Sequence, residues 1–91
     1  MLILVQIDLS KADMPLFDDF EAQALALLGN HGGELLERLR STDGNSEIHL
    51  LHFADADALE AFRADPARAI FHDLWERCGA LSSVTEVRRL S

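Results

Sequence analysis

Four histidines are the side chains whose ordinary titration range spans neutral pH, so acid–base chemistry in this chain starts with them. His49 is the most informative. It alternates with Leu51 and Phe53 in an apolar, strand-like run, which places it in a core or a cleft. Three other polar residues sit in similar runs: Gln6 and Asp8 in the first, Arg38 in the second. If each occupies the less apolar face of its strand, and the strands are neighbours, the four could converge. His49 would then abstract a proton. Asp8 would orient it, Arg38 would stabilise a developing enolate-like oxyanion, and Gln6 would contact the ligand. The same residues also fit a buried polar network at a dimer interface, with Asp8 and Arg38 at solvated strand ends.

The remaining candidates each have a simpler structural use. His72 lies four residues from both Arg68 and Glu76, the spacing of a surface charge ladder on a helix, and it could also face a ligand. Trp75 could stack on an aromatic ligand, but its spacing from Phe71 and Leu74 is that of a core stripe. His31 precedes Gly32-Gly33 and caps a helix end or, through close backbone approach, serves a ligand. His52 falls on the opposite strand face from His49, so the two cannot grip one metal, and no other histidine–cysteine cluster exists; no metal and no cofactor are expected. Gly32-Gly33 precedes a strand and not a helix, so it is not a phosphate loop. Cys78 is the only cysteine, excludes an intrachain disulfide, and reads as core filler one helical turn after Leu74.

Positioning these groups requires four strands and two helical regions. Residues 2–9 predict a strand in which Ile3, Val5, Ile7 and Leu9 point one way and Leu2 and Leu4 the other. Asp13 and Pro15 open a helix whose stripe is Phe17, Phe20, Ala24, Leu27 and Leu28, and Gly29-Asn30 is expected to end it. Residues 34–40 predict a second strand with Leu35, Glu37 and Leu39 on one face and Leu36, Arg38 and Arg40 on the other. Ser41 to Ser46, with Asp43-Gly44, is a hairpin turn. Residues 47–53 form the third strand. A helix capped by Asp55 or Asp57 carries Leu59 and Phe62, breaks at Asp65-Pro66, and resumes with Ile70, Phe71, Leu74, Trp75 and Cys78 until Gly79. Residues 83–90 predict the last strand.

This order, βαββαβ, is an α+β ferredoxin-like arrangement with an antiparallel sheet ordered 4-1-3-2. Strands 1 and 3 are central in it, and they are apolar on both faces. Helices can cover only one face of one sheet, so the other face calls for a second copy of the chain, sheet against sheet. At 91 residues a single domain over 1–91 is expected, and pairing would enlarge a core that is small for so short a chain.

Composition narrows the partners. Sixteen acidic residues face eight basic ones, a net charge of −8, which excludes a nucleic-acid groove and disfavours anionic membrane surfaces. Arg88-Arg89 is the only basic pair besides the alternating strand arginines, and strand alternation would split it across two faces. No apolar run approaches the roughly 20 residues of a membrane helix. The N-terminal run is broken by Gln6 and Asp8 and lacks a basic lead, so it is not expected to be a signal peptide. A reduced, cytoplasmic setting is the expectation.

Together, His31-Gly32-Gly33-Glu34-Leu35-Leu36, the hairpin Thr42-Asp43-Gly44, the strand Ile48-His49-Leu50-Leu51-His52-Phe53 and the broken helix Leu59-Glu60-Ala61-Phe62-Arg63-Ala64-Asp65-Pro66 resemble the dimeric α+β barrel superfamily, near its antibiotic-biosynthesis monooxygenase branch. The resemblance implies a sheet-to-sheet homodimer and a ligand cleft between helices and sheet in each subunit. It also implies activities such as cofactor-free oxygenation of polyketide quinones, haem degradation or lactone isomerisation. The haem-degrading pattern asks for an asparagine on strand 1 and a histidine beyond the helix tryptophan. This chain has Gln6 and Asp8 on strand 1, and no histidine follows Trp75. It also lacks tyrosine, a common proton donor of the quinone oxygenases.

Two classes of function follow. One is a cofactor-free monooxygenase or isomerase of a small aromatic or enolisable molecule. The other is a non-catalytic dimer that binds a small apolar ligand or only supports structure. An enzyme calls for a cleft of roughly 300 Å³ or more with His49 or His72 facing it; a cleft plugged by Phe20, Phe62 and Phe71 would leave a structural module.

Overall fold

A computed structural model describes residues Met1–Ser91. The strands are β1 (Leu2–Asp8), β2 (Glu34–Arg40), β3 (Ser46–His52) and β4 (Leu81–Val87), and the helices are α1 (Met14–Leu28), α2 (Ala56–Arg63) and α3 (Ala67–Cys78). All pairings are antiparallel in the order β2-β3-β1-β4, the expected 4-1-3-2 sheet read from its other edge. The helices lie on one face, giving a slab of 35 × 33 × 16 Å.

Local chemistry sets most boundaries. The Asp13 carboxylate accepts from Leu16 N and caps α1, Pro15 occupies its first turn, and Asp55 caps α2 by accepting from Ala58 N. At the helix break, Asp65 accepts from Ala67 N and from His31 Nε2 at 2.7 Å. These hydrogen bonds, backbone first, hold its carboxyl below the usual range. His31 therefore ties the end of α1 to the α2–α3 junction. Gly33 has a packing use as well, because a Cβ there would meet Phe53 at 2.9 Å and Leu28 at 3.1 Å.

Three expectations need correction. Gly29 does not end α1 in a left-handed cap. It is right-handed (φ −61°), a 3-10 turn follows over Gly29–His31, and the left-handed residue is Gly32 (φ 68°). In β2, Leu35 pairs with Leu51 but Glu37 pairs with Leu50. Leu36 is thus an extra residue, a bulge that puts Leu35 and Glu37 on opposite faces. Finally, β4 spans Leu81–Val87 and not 83–90. Val87 pairs with Leu2, so the strand stops where β1 can offer no further partner, and Arg88-Arg89 lies beyond it.

The helix-facing side of the sheet carries two cores. One joins Ile3, Leu51 and Phe53 to Phe20, Phe62 and Phe71; the other joins Ile7 and Leu9 to Phe17, Cys78 and Ala80. Cys78 is thus core filler, as expected. Val5 and Trp75 pack against both cores. No helix is long and apolar enough to cross a membrane.

The other face has no cover within the chain. By the registers it presents Leu2, Leu4, Gln6 and Asp8 from β1, Ile48, Leu50 and His52 from β3, Leu39 from β2, and Leu81, Thr85 and Val87 from β4. Leu39 is 55% and Leu81 70% exposed.

Candidate functional site

The opening between the two cores is a cleft of about 250 Å³. It exists because β4 turns only Ser82, Val84 and Glu86 toward the helices, and none of these fills the space that β1 and β3 fill with Ile3, Ile7 and Leu51. The walls include Phe20, Phe62 and Trp75, with Glu21 and His49 among them and Arg63, Arg68 and His72 contributed by α2 and α3. The volume is below the roughly 300 Å³ anticipated for an enzyme of this kind, but the histidines are the ones expected, Phe20 and Phe62 line the space without closing it, and Phe71 does not line it. A larger concavity, about 520 Å³, lies at one end of the open sheet face among Gln6, Asp8, Ser46 and Ile48. It has no helical cover and no buried acid–base pair.

The polar centre is built on the helix-facing side of β3 and on α1. Glu47 and His49 sit two apart on one strand face, and both are buried. His49 Nε2 lies 2.6 Å from Glu47 Oε2. Arg38 Nε donates to the same oxygen at 3.2 Å, and Arg40 donates to Oε1 through Nε at 3.0 Å and Nη2 at 2.6 Å. Burial acts to raise the Glu47 pKa, but the Arg40 and His49 hydrogen bonds and the Arg38 charge outweigh it and hold the carboxyl below the usual range. Ionised Glu47 can only accept, so His49 Nε2 carries a proton and donates it to that carboxylate.

Glu21 behaves in the opposite way. It is only 5% exposed, and its Oε2 has no hydrogen-bond partner, although it lies 3.5 Å from His49 Nε2. Burial first, and then the charge of Glu47, push its pKa up to about 7 against the opposing pull of Arg38 and Arg40. A carboxyl with that pKa in an apolar cleft can give or take a proton at neutral pH. The ligand-capable atoms of Glu21, Glu47 and His49 all lie within 4.8 Å of one another. Both Glu47 oxygens are already engaged by arginine or histidine, so a cation would have to displace those contacts.

The four-residue constellation read from the sequence divides across the sheet. Val5 pairs with His49, and His49 with Arg38, on the helix side; Gln6 pairs with Ile48 and Asp8 with Ser46 on the open side. Asp8 thus cannot orient His49. It accepts from Ser10 N instead, and that bond lowers its pKa. Arg38 reaches His49 only through Glu47 and does not line the cleft. The less apolar face of β1 is the opposite sheet face from that of β3, which is why the convergence fails. Trp75 does line the cleft, half-buried with its ring 5.1 Å from Phe20. His72 also lines it while pairing with Glu76 at 3.1 Å, the expected ladder contact. His52 faces away, with Nδ1 3.9 Å from Glu34.

Sequence reasoning missed Glu21, though a signal was present. Position 21 falls four after Phe17 and three before Ala24, so it is a charged residue on the apolar stripe of α1.

No protein-family model and no curated protein matches the chain. Solved structures do. SnoaB, a cofactor-independent oxygenase from Streptomyces nogalater, is 17% identical with a TM-score of 0.72, over 98% of this chain and 93% of its own. A nipsnap family protein of unknown function from Agrobacterium tumefaciens is 20% identical with a TM-score of 0.68, over 100% and 91%. A dimeric ferredoxin-like protein of unknown function from Jannaschia sp. is 19% identical with a TM-score of 0.66, over 96% and 100%. At these identities the likeness is one of fold: this chain has the ferredoxin-like βαββαβ fold.

Proposed function

We propose that this protein is a homodimer, paired through its open sheet faces, in which each subunit's cleft moves a proton on a small enolisable or aromatic molecule. The observation that carries the reading is the Glu21 carboxyl, buried without a hydrogen-bond partner in an apolar cleft and 3.5 Å from His49. An ionised Glu21 takes a proton from a carbon next to a carbonyl. The C–H electron pair passes to the carbonyl oxygen as an enolate, and the protonated carboxyl returns the proton at the same or a conjugated carbon. His49, oriented by Glu47, supplies the adjoining polar wall. Return of the proton makes an isomerase; capture of the enolate by dioxygen makes a cofactor-independent oxygenase, the activity named for SnoaB.

The dimer rests on the leucine- and isoleucine-rich open face, on the slab shape, and on the dimeric neighbour from Jannaschia sp.. The small volume of the cleft favours one competing reading, a module that binds an apolar molecule without transforming it.

Incubation with 2-tetralone, an enolisable bicyclic ketone, in D2O separates these readings. Proton NMR is expected to show loss of the C1 protons faster than in buffer, with the rate falling about 10²–10⁴-fold in Glu21→Gln, the usual contribution of a general base. Tetralone that binds but exchanges at the buffer rate overturns catalysis and leaves binding.

A further inference from the structure

In a chain with twice as many acidic as basic residues, cations facing a cleft without a carboxylate partner call for an explanation. Arg63, Arg68 and His72 all line the cleft. Arg63 pairs with Glu60 at 3.0 Å and His72 with Glu76 at 3.1 Å. Arg68 has neither a carboxylate within ion-pair distance nor a side-chain hydrogen bond, yet it is the only lysine or arginine of the chain that is not exposed. Its guanidinium lies over the Phe62 ring, 4.6 Å from the centroid, which fixes it in the cleft wall. Burial and the neighbouring Arg63 both work against its charge, so the fold holds a partly desolvated cation that no carboxylate of the chain compensates.

We propose that the cleft is selective for anionic ligands: small, mainly apolar acids whose carboxylate pairs with Arg68 while the ring or chain lies between Phe20, Phe62 and Trp75. The inference rests on the proposed cleft and names its ligand class. A carboxylate accepts two parallel N–H bonds from a guanidinium, and a half-buried pair of that kind is stronger than a surface one. Pre-setting of Arg68 by Phe62 lowers the ordering cost of binding. The negative charge of the whole chain opposes anions only weakly at this range, because salt screens exposed charges beyond about 8–10 Å.

The test uses 2-naphthoate and its neutral isostere 2-naphthamide in calorimetric titrations of wild type, Arg68→Met and Arg68→Lys. Wild type is expected to bind naphthoate about tenfold or more tighter than naphthamide, the range of one charge-assisted pair. Arg68→Met brings the ratio close to one, and Arg68→Lys retains part of it. Salt weakens naphthoate binding and not naphthamide binding, a readout that stands even if Arg68→Met does not fold. Equal wild-type affinities overturn the anion selectivity, and a preference that survives in Arg68→Met overturns its assignment to Arg68; both leave the cleft reading intact. Binding of neither compound overturns both.

Discussion

Leu50→Lys is expected to convert a species of twice the 10.1 kDa chain mass into single subunits at micromolar concentration, as read by sedimentation equilibrium. Leu50 sits mid-strand on β3, paired with Leu4 on β1 and with Glu37 on β2, on the face the helices do not cover. It belongs to neither core, so the subunit fold survives the change. A twofold interface counts each substitution twice. Leu50 is already partly covered in the single subunit, so burying the rest of its surface contributes about 0.5–1.5 kcal/mol, and two such losses weaken dimerisation by roughly 10–10²-fold, before the cost of desolvating two ammonium groups. A Leu50→Lys protein with the mass of wild type would place the subunit contact elsewhere.

Glu21→Gln is expected to make the protein more stable at pH 8 while removing the exchange activity. The folded carboxyl has a pKa of about 7 against an ordinary value of 4.5. Below pH 4.5 the group is neutral in both folded and unfolded chains and there is no penalty. As pH rises toward 7 the unfolded chain ionises first, and stability falls. Above 7 the loss is complete, on the order of 3 kcal/mol. Glutamine keeps the shape and cannot ionise, so urea denaturation should show the variant more stable at pH 8 and little changed near pH 5. Glu47 has the opposite sign, because its pKa is lowered; its contribution is lost only in acid, as pH falls below the ordinary carboxylate range. A Glu21→Gln protein less stable than wild type at pH 8 would mean the ionised carboxyl is compensated in the folded state.

Much of the fold was legible because each signal was local. Asp13 and Pro15 start α1, Asp43-Gly44 makes the hairpin, and the double-faced apolar strands fall where a 4-1-3-2 sheet has its centre. The failures came from relations between elements. The Leu36 bulge depends on how β2 meets β3, and the end of β4 depends on where β1 begins. The candidate site was half legible. His49, His72 and Trp75 reach the cleft. Asp8 and Gln6 do not, because polarity along a strand does not say which sheet face the polar side meets. Glu21 was visible as a charge on an apolar stripe, and Glu47 as the strand-face neighbour of His49; only packing shows that Arg38 and Arg40 claim one carboxylate and leave the other without a partner.

The burial of Glu21 in an apolar cleft calls for a carboxyl poised near neutrality. Carbon-13 NMR of the side-chain carboxyl of Glu21, assigned by comparison with Glu21→Gln, measures it directly across pH 4 to 9. A titration midpoint of about 7 is expected. A midpoint at the ordinary value of 4.5 would contradict it.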